Sequence, residues 1–253
     1  PEAKAEAAKQ IELEFSQISS SIVAPHFIFY AKELVAEKYG EKAISEDGLE
    51  IITTLDLEKQ KIAEQIIIEQ VEKNLENYGA NNAALVSMQA DTGEILTMVG
   101  SANYFNEDID GAVNVAIRPR QPGSSFKPIV YTAAFEKGYT PETILFDVET
   151  NFAVSGDDYK PLNYDLQEHG PVTMKQAIQG SLNIPAVKTL YLVGAEKGVE
   201  FAERLGYTTL GAGNFGLSLV LGGGEVKLLE HVNAYGVFAN QGVRHEPVSI
   251  LKI

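Results

Sequence analysis

Residues 120–138, RQPGSSFKPIVYTAAFEKG, decide how this chain is read. Pro122-Gly123 forces a turn directly before Ser124 and leaves its backbone uncrowded. Pro128 fits best in the first turn of a helix, where a missing N–H costs nothing. Both neighbours therefore predict a helix from about Ser124 to Lys137, stopped by Gly138. Ser124 and Lys127, three apart, then share one helix face. A serine hydroxyl attacks poorly until a base takes its proton, and a lysine with a pKa lowered by burial is such a base. The positive end of the helix favours charge developing at Ser124. A capping serine followed by a surface lysine accounts for the same four residues equally well, so the tetrad alone decides nothing.

A second S-x-x-K tetrad, Ser249 to Lys252, lies in PVSILKI, which has the pattern of a strand. Residues three apart on a strand point to opposite faces, so this serine and lysine do not meet. Ser181-Leu182-Asn183 offers a second set of groups. A serine hydroxyl passes protons, and an asparagine amide holds a peptide and orients a lysine. A plain turn is the competing reading, because Gly180, Asn183 and Pro185 are all turn formers.

Around these motifs the pattern is that of a mixed α and β protein. Residues 1–10 have helix-forming composition, and Ile11, Leu13 and Phe15 alternate as in a short strand. Pro25 opens a helix that Gly40 ends. GLEIITTLD reads as a strand, and Asp56 caps a long helix over residues 57–78 with Ile62, Ile66, Val71 and Leu75 at helical spacing. YGANNA is a turn-rich break, which separates a linker or scaffold module (1–80) from the main domain (81–253). AALVSMQA and EILTMVG form a hairpin through Asp91-Thr92-Gly93. Short helices follow near 173–180 and 185–205, then a longer one over residues 226–242. The closing strand PVSILKI is apolar in pattern, and it is expected either to leave a sheet edge open or to have that edge occupied by a companion segment.

The 253 residues carry a net charge of -15 and no Cys. That charge argues against nucleic acid as a partner, and the missing Cys removes disulfides and thiolate chemistry. No apolar run approaches the roughly 20 residues that span a bilayer. The chain starts with Pro rather than Met and reads as a soluble piece of something longer.

The ordered set RQPGSSFKPIVYTAAFEKGYTPETI, GSLNIPAVK, LGGGEV and NAYGVFANQGVRHEPVSI resembles the bifunctional (class A) penicillin-binding proteins, strongly over residues 83–253. DTGEILTMVGS resembles the hairpin that precedes their active serine. The resemblance implies an α+β fold of the penicillin-binding and serine β-lactamase type, mostly antiparallel sheet with flanking helices. It makes Ser124 the acylated serine, Lys127 the general base, and Ser181 and Asn183 the second motif, with Ser181 catalytic and Asn183 binding substrate. The backbone N–H of Ser124 becomes one oxyanion donor. The partners are then peptidoglycan stem peptides and β-lactam antibiotics, and no cofactor or metal is called for. The reaction is D,D-transpeptidation on the extracytoplasmic face of the bacterial membrane, in a parent protein that is anchored there. Hydrolysis by a D,D-carboxypeptidase or β-lactamase, or a fragment that assembles without turning over, are the alternatives. Two departures stand out: Leu182 replaces the Asp of S-D-N, and no K-T-G occurs. The strands that carry K-T-G in the family are expected to complete the sheet. Gly222, Gly223 and Gly224 match a glycine stretch at the back of the site, for which a plain pre-helix turn is an equal explanation.

Overall fold

The computed structural model describes residues 22–46, 48–153, 158–211, 213 and 215–253. The readings of a helix and a strand before residue 22 lie outside these residues. Helix α1 (Pro25–Tyr39) starts on its proline, ends at Gly40 with φ 84°, and buries His26, Phe27, Ala31 and Val35. Helix α2 (Glu41–Glu46) follows. The strand predicted over residues 48–56 shrinks to β1 (Ile52–Thr53). Asp56 accepts a hydrogen bond from Lys59 N and caps α3 (Leu57–Tyr78).

The buried face of α3 differs from the expected one. Gln60, Ala63 and Ile67 face inward, whereas Ile62, Ile66 and Leu75 are exposed. Gln60 sets this rotation by pairing its side-chain amide with both Met98 N and Met98 O on the neighbouring strand. A buried amide satisfied at both ends locks the helix in register.

Strands β2 (Leu85–Met88) and β3 (Ile95–Val99) form the predicted antiparallel hairpin. Gly93 takes φ 78° at its turn, where a side chain would be strained. Strand β4 (Pro119–Arg120) pairs with β7 (Val226–Lys227), and β5 (Ile144–Asp147) with β6 (Gly170–Thr173). The long helix expected from residue 226 therefore begins two residues later, as α8 (Leu228–Ala239). Strand β8 (Ile250–Lys252) pairs antiparallel with β1, and Val248 bonds β3 through Ile95 N. Strand β8 thus has β1 along one edge, in a sheet of two strands among the described residues. Ser249 is buried while Lys252 is exposed, so the two ends of this tetrad lie in different surroundings.

The main core surrounds helix α4 (Lys127–Glu136). Its residues Ile129, Val130, Ala133 and Ala134 pack against α6 (Asn183–Val193) and α7 (Ala195–Arg204). A helix expected across 185–205 is split into these two by Gly194, which takes φ 90°. Short α5 (Met174–Gln179) precedes α6, with Thr173 and Gln176 forming a reciprocal capping box. A second core joins α1, β3 and α8 through Phe27, Ile95, Met98 and Leu229. Helix α8 serves both cores, giving Ala234 and Val237 to the first and Leu229 to the second.

Candidate active site

Ser124 stands in a 3-10 turn, Gly123–Phe126, that leads directly into α4. The α-helix expected from Ser124 begins instead at Lys127. Pro128 has no N–H to reach the Ser124 carbonyl, so Lys127 N makes the shorter i to i+3 bond to it. Phe126 and Lys127 plunge into the core at 0% and 1% exposure, while Ser124 remains exposed. This turn converts one sequence step into a buried anchor beside an accessible hydroxyl.

Lys127 is the centre of the site. Its Nζ donates to Ser181 O at 2.5 Å, Asn183 Oδ1 at 2.7 Å and Ser181 Oγ at 3.2 Å. The structure therefore brings Lys127, Ser181 and Asn183 together, and Ser124 precedes Lys127 by one helical turn. No hydrogen bond joins Lys127 to Ser124 among the described residues. Burial without a carboxylate partner pushes the Lys127 ammonium down to about 8.

Ser181 carries backbone strain. It takes φ 50°, the left-handed region, at the position after the α5 terminus. Leu182 N bonds Ala177 O and Ser181 N bonds Ile178 O, a helix ending that glycine usually serves. Sequence reading points to Gly180 for that role, yet Gly180 is right-handed with φ -82°. The strain, of order 1–2 kcal/mol, aims both Ser181 oxygens at Lys127.

Asn183 is held from behind by residues that sequence reasoning missed. Asn163 Oδ1 accepts from Asn183 N and Ile184 N, capping α6 from a distant loop. Asn163 Nδ2 donates to both oxygens of Asp147, which is fully buried. Asp147 also accepts from His169 N, and its Oδ2 lies 2.6 Å from His169 Nδ1. Asn183 Nδ2 donates to Leu162 O, which fixes its oxygen toward Lys127. No local motif marks these residues, because Asp147 ends β5 while Asn163 and His169 lie 16 and 22 positions further on, in a loop.

The glycine stretch has a packing reason beyond a turn. Gly222 takes φ 88°, and a Cβ there lies within 3.0 Å of Gly123 N and Cα. Gly223 abuts Ser218, and Gly224 abuts Leu210 and Leu219. The floor beneath the Ser124 turn is backbone on backbone.

The penicillin-binding protein transpeptidase domain matches residues 83–253. The chain is 35% identical over 237 residues to penicillin-binding protein 2D of Bacillus subtilis (strain 168), covering 91% of this chain and 33% of that protein. It is 39% identical over 172 residues to penicillin-binding protein 1A of Aquifex aeolicus (strain VF5), covering 67% and 23%. The chain thus spans a third or less of the length of these relatives. The fold matches penicillin-binding protein 1A from Haemophilus influenzae with a TM-score of 0.85 at 19% identity, over 100% of this chain and 51% of that one. It also matches the PonA1 protein from Mycobacterium tuberculosis in complex with penicillin V, with a TM-score of 0.74 at 20% identity, over 90% and 62%. An α+β arrangement of antiparallel strand pairs and flanking helices, with the transpeptidase match over residues 83–253, places the chain in the penicillin-binding protein transpeptidase family.

Proposed function

We propose that this chain supplies the acyl-transfer half-site of a D,D-transpeptidase that cross-links peptidoglycan stem peptides. The observation that carries the reading is Lys127: a buried amine with a lowered pKa, bonded to both ends of Ser181-Leu182-Asn183. Ser124 Oγ attacks the carbonyl between the two terminal D-alanines, and its proton moves to Lys127. The positive end of the helix and the Ser124 N–H favour the oxyanion. As the C–N bond breaks, Ser181 passes a proton from Lys127 to the departing D-alanine amine. An amine of a neighbouring stem then attacks the acyl ester, forms the new amide and restores Ser124. Asn183 orients Lys127, and its Nδ2 keeps a second N–H for a substrate carbonyl.

A β-lactam is a cyclic amide presented to the same serine, so it is the second expected ligand. Residues 1–80 we assign to a scaffold module that braces the site through β1 on β8 and α3 on β3. Among the described residues no helix is long and apolar enough to cross a membrane. The stem peptides lie outside the membrane, so we place the reaction on its extracytoplasmic face.

Covalent labelling tests the assignment. A fluorescent penicillin should label the full-length protein, and Ser124→Ala should abolish the label. Labelling that persists in the alanine variant would sink Ser124 as nucleophile.

A further inference from the structure

Directly beside Ser124, a chain of hydrogen bonds ties the nucleophile turn to two other parts of the fold. Ser125 Oγ lies 2.6 Å from Pro122 O, a carbonyl that only accepts, so the hydroxyl proton points there. Ser125 Oγ must then accept from His231 Nε2 at 3.0 Å, which places the imidazole proton on Nε2. His231 Nδ1 is left as an acceptor, and Tyr207 OH lies 2.6 Å from it. Every proton in the chain is assigned, and the assignment requires a neutral imidazole. Tyr235 OH fixes the same turn a second time by donating to Ser125 O at 2.7 Å.

We propose that His231 is a positioning residue for the nucleophile: locked as the Nε2–H tautomer between Tyr207 and Ser125, it holds the turn that presents Ser124, and a proton on Nδ1 releases that turn. The inference rests on Ser124 being the acylated residue. A second ring proton would face the Tyr207 oxygen, whose own proton would then need another acceptor. Tyr207 is only 2% exposed, and its hydroxyl makes no other hydrogen bond among the described residues. The Tyr207 hydroxyl therefore guards the neutral state. Burial works in the same direction and holds His231 below its usual range.

The charged surroundings leave this control to Tyr207. On its own helix His231 neighbours Glu230 and Tyr235. Glu230 is engaged by Thr208 N, by the Thr208 hydroxyl and by Lys227 of β7 at 3.0 Å. From the segment after α7 the facing titratable group is Tyr207, which itself packs edge-on against Phe126. No carboxylate bonds the imidazole among the described residues, so nothing there stabilises a second proton.

The experiment is the rate of acylation by fluorescent penicillin in the full-length protein, measured from pH 5 to 9 for wild type, Tyr207→Phe and His231→Gln. Tyr207→Phe keeps the buried ring and removes the guard. Its rate relative to wild type should fall as the medium is acidified, approaching tenfold per pH unit below the pH at which His231 of the variant takes up its second proton. His231→Gln keeps a donor and an acceptor but does not titrate, so its ratio to wild type should stay flat with pH. Taking ratios cancels the titration of Lys127 or of any other base. A flat ratio for Tyr207→Phe overturns the proposal, as does a ratio for His231→Gln that changes with pH. If Tyr207→Phe fails to fold, histidine NMR of the wild type decides: titration of His231 near 6.5 overturns the proposal, and resistance to titration down to about 5 supports it. Failure of the acyl-transfer reading looks different, because Ser124→Ala then still labels.

Discussion

Lys127 Nζ lies 2.7 Å from Asn183 Oδ1 and 2.5 Å from Ser181 O, two oxygens that can only accept. A neutral amine has two N–H groups and one lone pair. As an ammonium Lys127 donates to all three oxygens; once one proton leaves, the two acceptors use both N–H groups, and the bond to Ser181 Oγ reverses so that the hydroxyl donates to the lone pair. The site thus accommodates Lys127 both as the ammonium and as the neutral amine, which is what a group that takes and returns a proton needs.

The first prediction follows from that geometry. With a pKa of about 8, only the fraction of Lys127 that is neutral acts as base. Acylation should rise with pH up to about 8 and level off above it, losing about tenfold per unit on the acid side. Lys127→Arg keeps a cation that does not titrate in this range and should lower acylation by about 10²–10⁴-fold with the fold intact. Stopped-flow acylation with a chromogenic β-lactam checks both. A near-normal rate in the arginine variant would show that another group takes the proton.

Gly222→Ala should disable the site from below. The new methyl meets Gly123 N and Cα within 3.0 Å at φ 88°, so both strain and collision act on the residue before Ser124. We expect a loss of about 1–3 kcal/mol in stability and more than tenfold in acylation. Gly216→Ala is the control, since its Cβ has nothing within 4 Å and its φ is -85°. That variant should stay within about 0.5 kcal/mol of wild type by thermal denaturation.

Asn163 should matter more than its loop position suggests. Removing its amide leaves a buried Asp147 carboxylate short of a donor and frees Asn183 N. Asn163→Ala should therefore cost about 2–4 kcal/mol and slow acylation. His169 adds a pH signature. Its hydrogen bond to Asp147, then the nearby Asp165, raises its pKa above the ordinary value. A raised pKa stabilises the fold fully below the unfolded value near 6.5, and that part is lost as pH rises through the folded value. The melting difference between wild type and His169→Gln should accordingly be larger at pH 6 than at pH 9. Equal differences at the two pH values would remove His169 from the network.

These predictions also show where sequence reading stops. Ser124, Lys127, Ser181 and Asn183 were visible because each sits in a short motif with its own turn residues. Helix α1 was visible from Pro25 and Gly40, helix α3 from its Asp56 cap, and the hairpin from Asp91-Thr92-Gly93. What was hidden is long-range. Asn163 reaches Asn183 across 20 positions, and His231 reaches Ser125 across 106. Neither separation has a periodicity to betray it. The left-handed backbone at Ser181 was hidden because Gly180 beside it is the natural guess. The pairing of β8 with β1 joins segments about 200 positions apart, so no local pattern names the partner.

Helix α3 gives the last test, because its sequence offers more than one face. Ile66, Ile67 and Ile68 run consecutively, so an apolar residue points in several directions whichever way the helix turns. Hydrophobic spacing favours Ile62, Ile66 and Leu75, yet Ile62 is 60% exposed and Ile67 is 6% exposed. The choice belongs to Gln60, whose amide finds both backbone groups of Met98 only in the observed rotation. Ile67→Ala should then cost about 2–4 kcal/mol, because it opens a cavity beside Ala63 and Val99. Ile62→Ala should cost under about 0.5 kcal/mol apart from a small change in helix propensity. Gln60→Leu should cost more than Ile62→Ala, since it strands Met98 N and O in a dry interface. Urea denaturation of the three variants decides the matter. A larger loss for Ile62→Ala than for Ile67→Ala would mean that the helix is rotated and that Gln60 faces solvent.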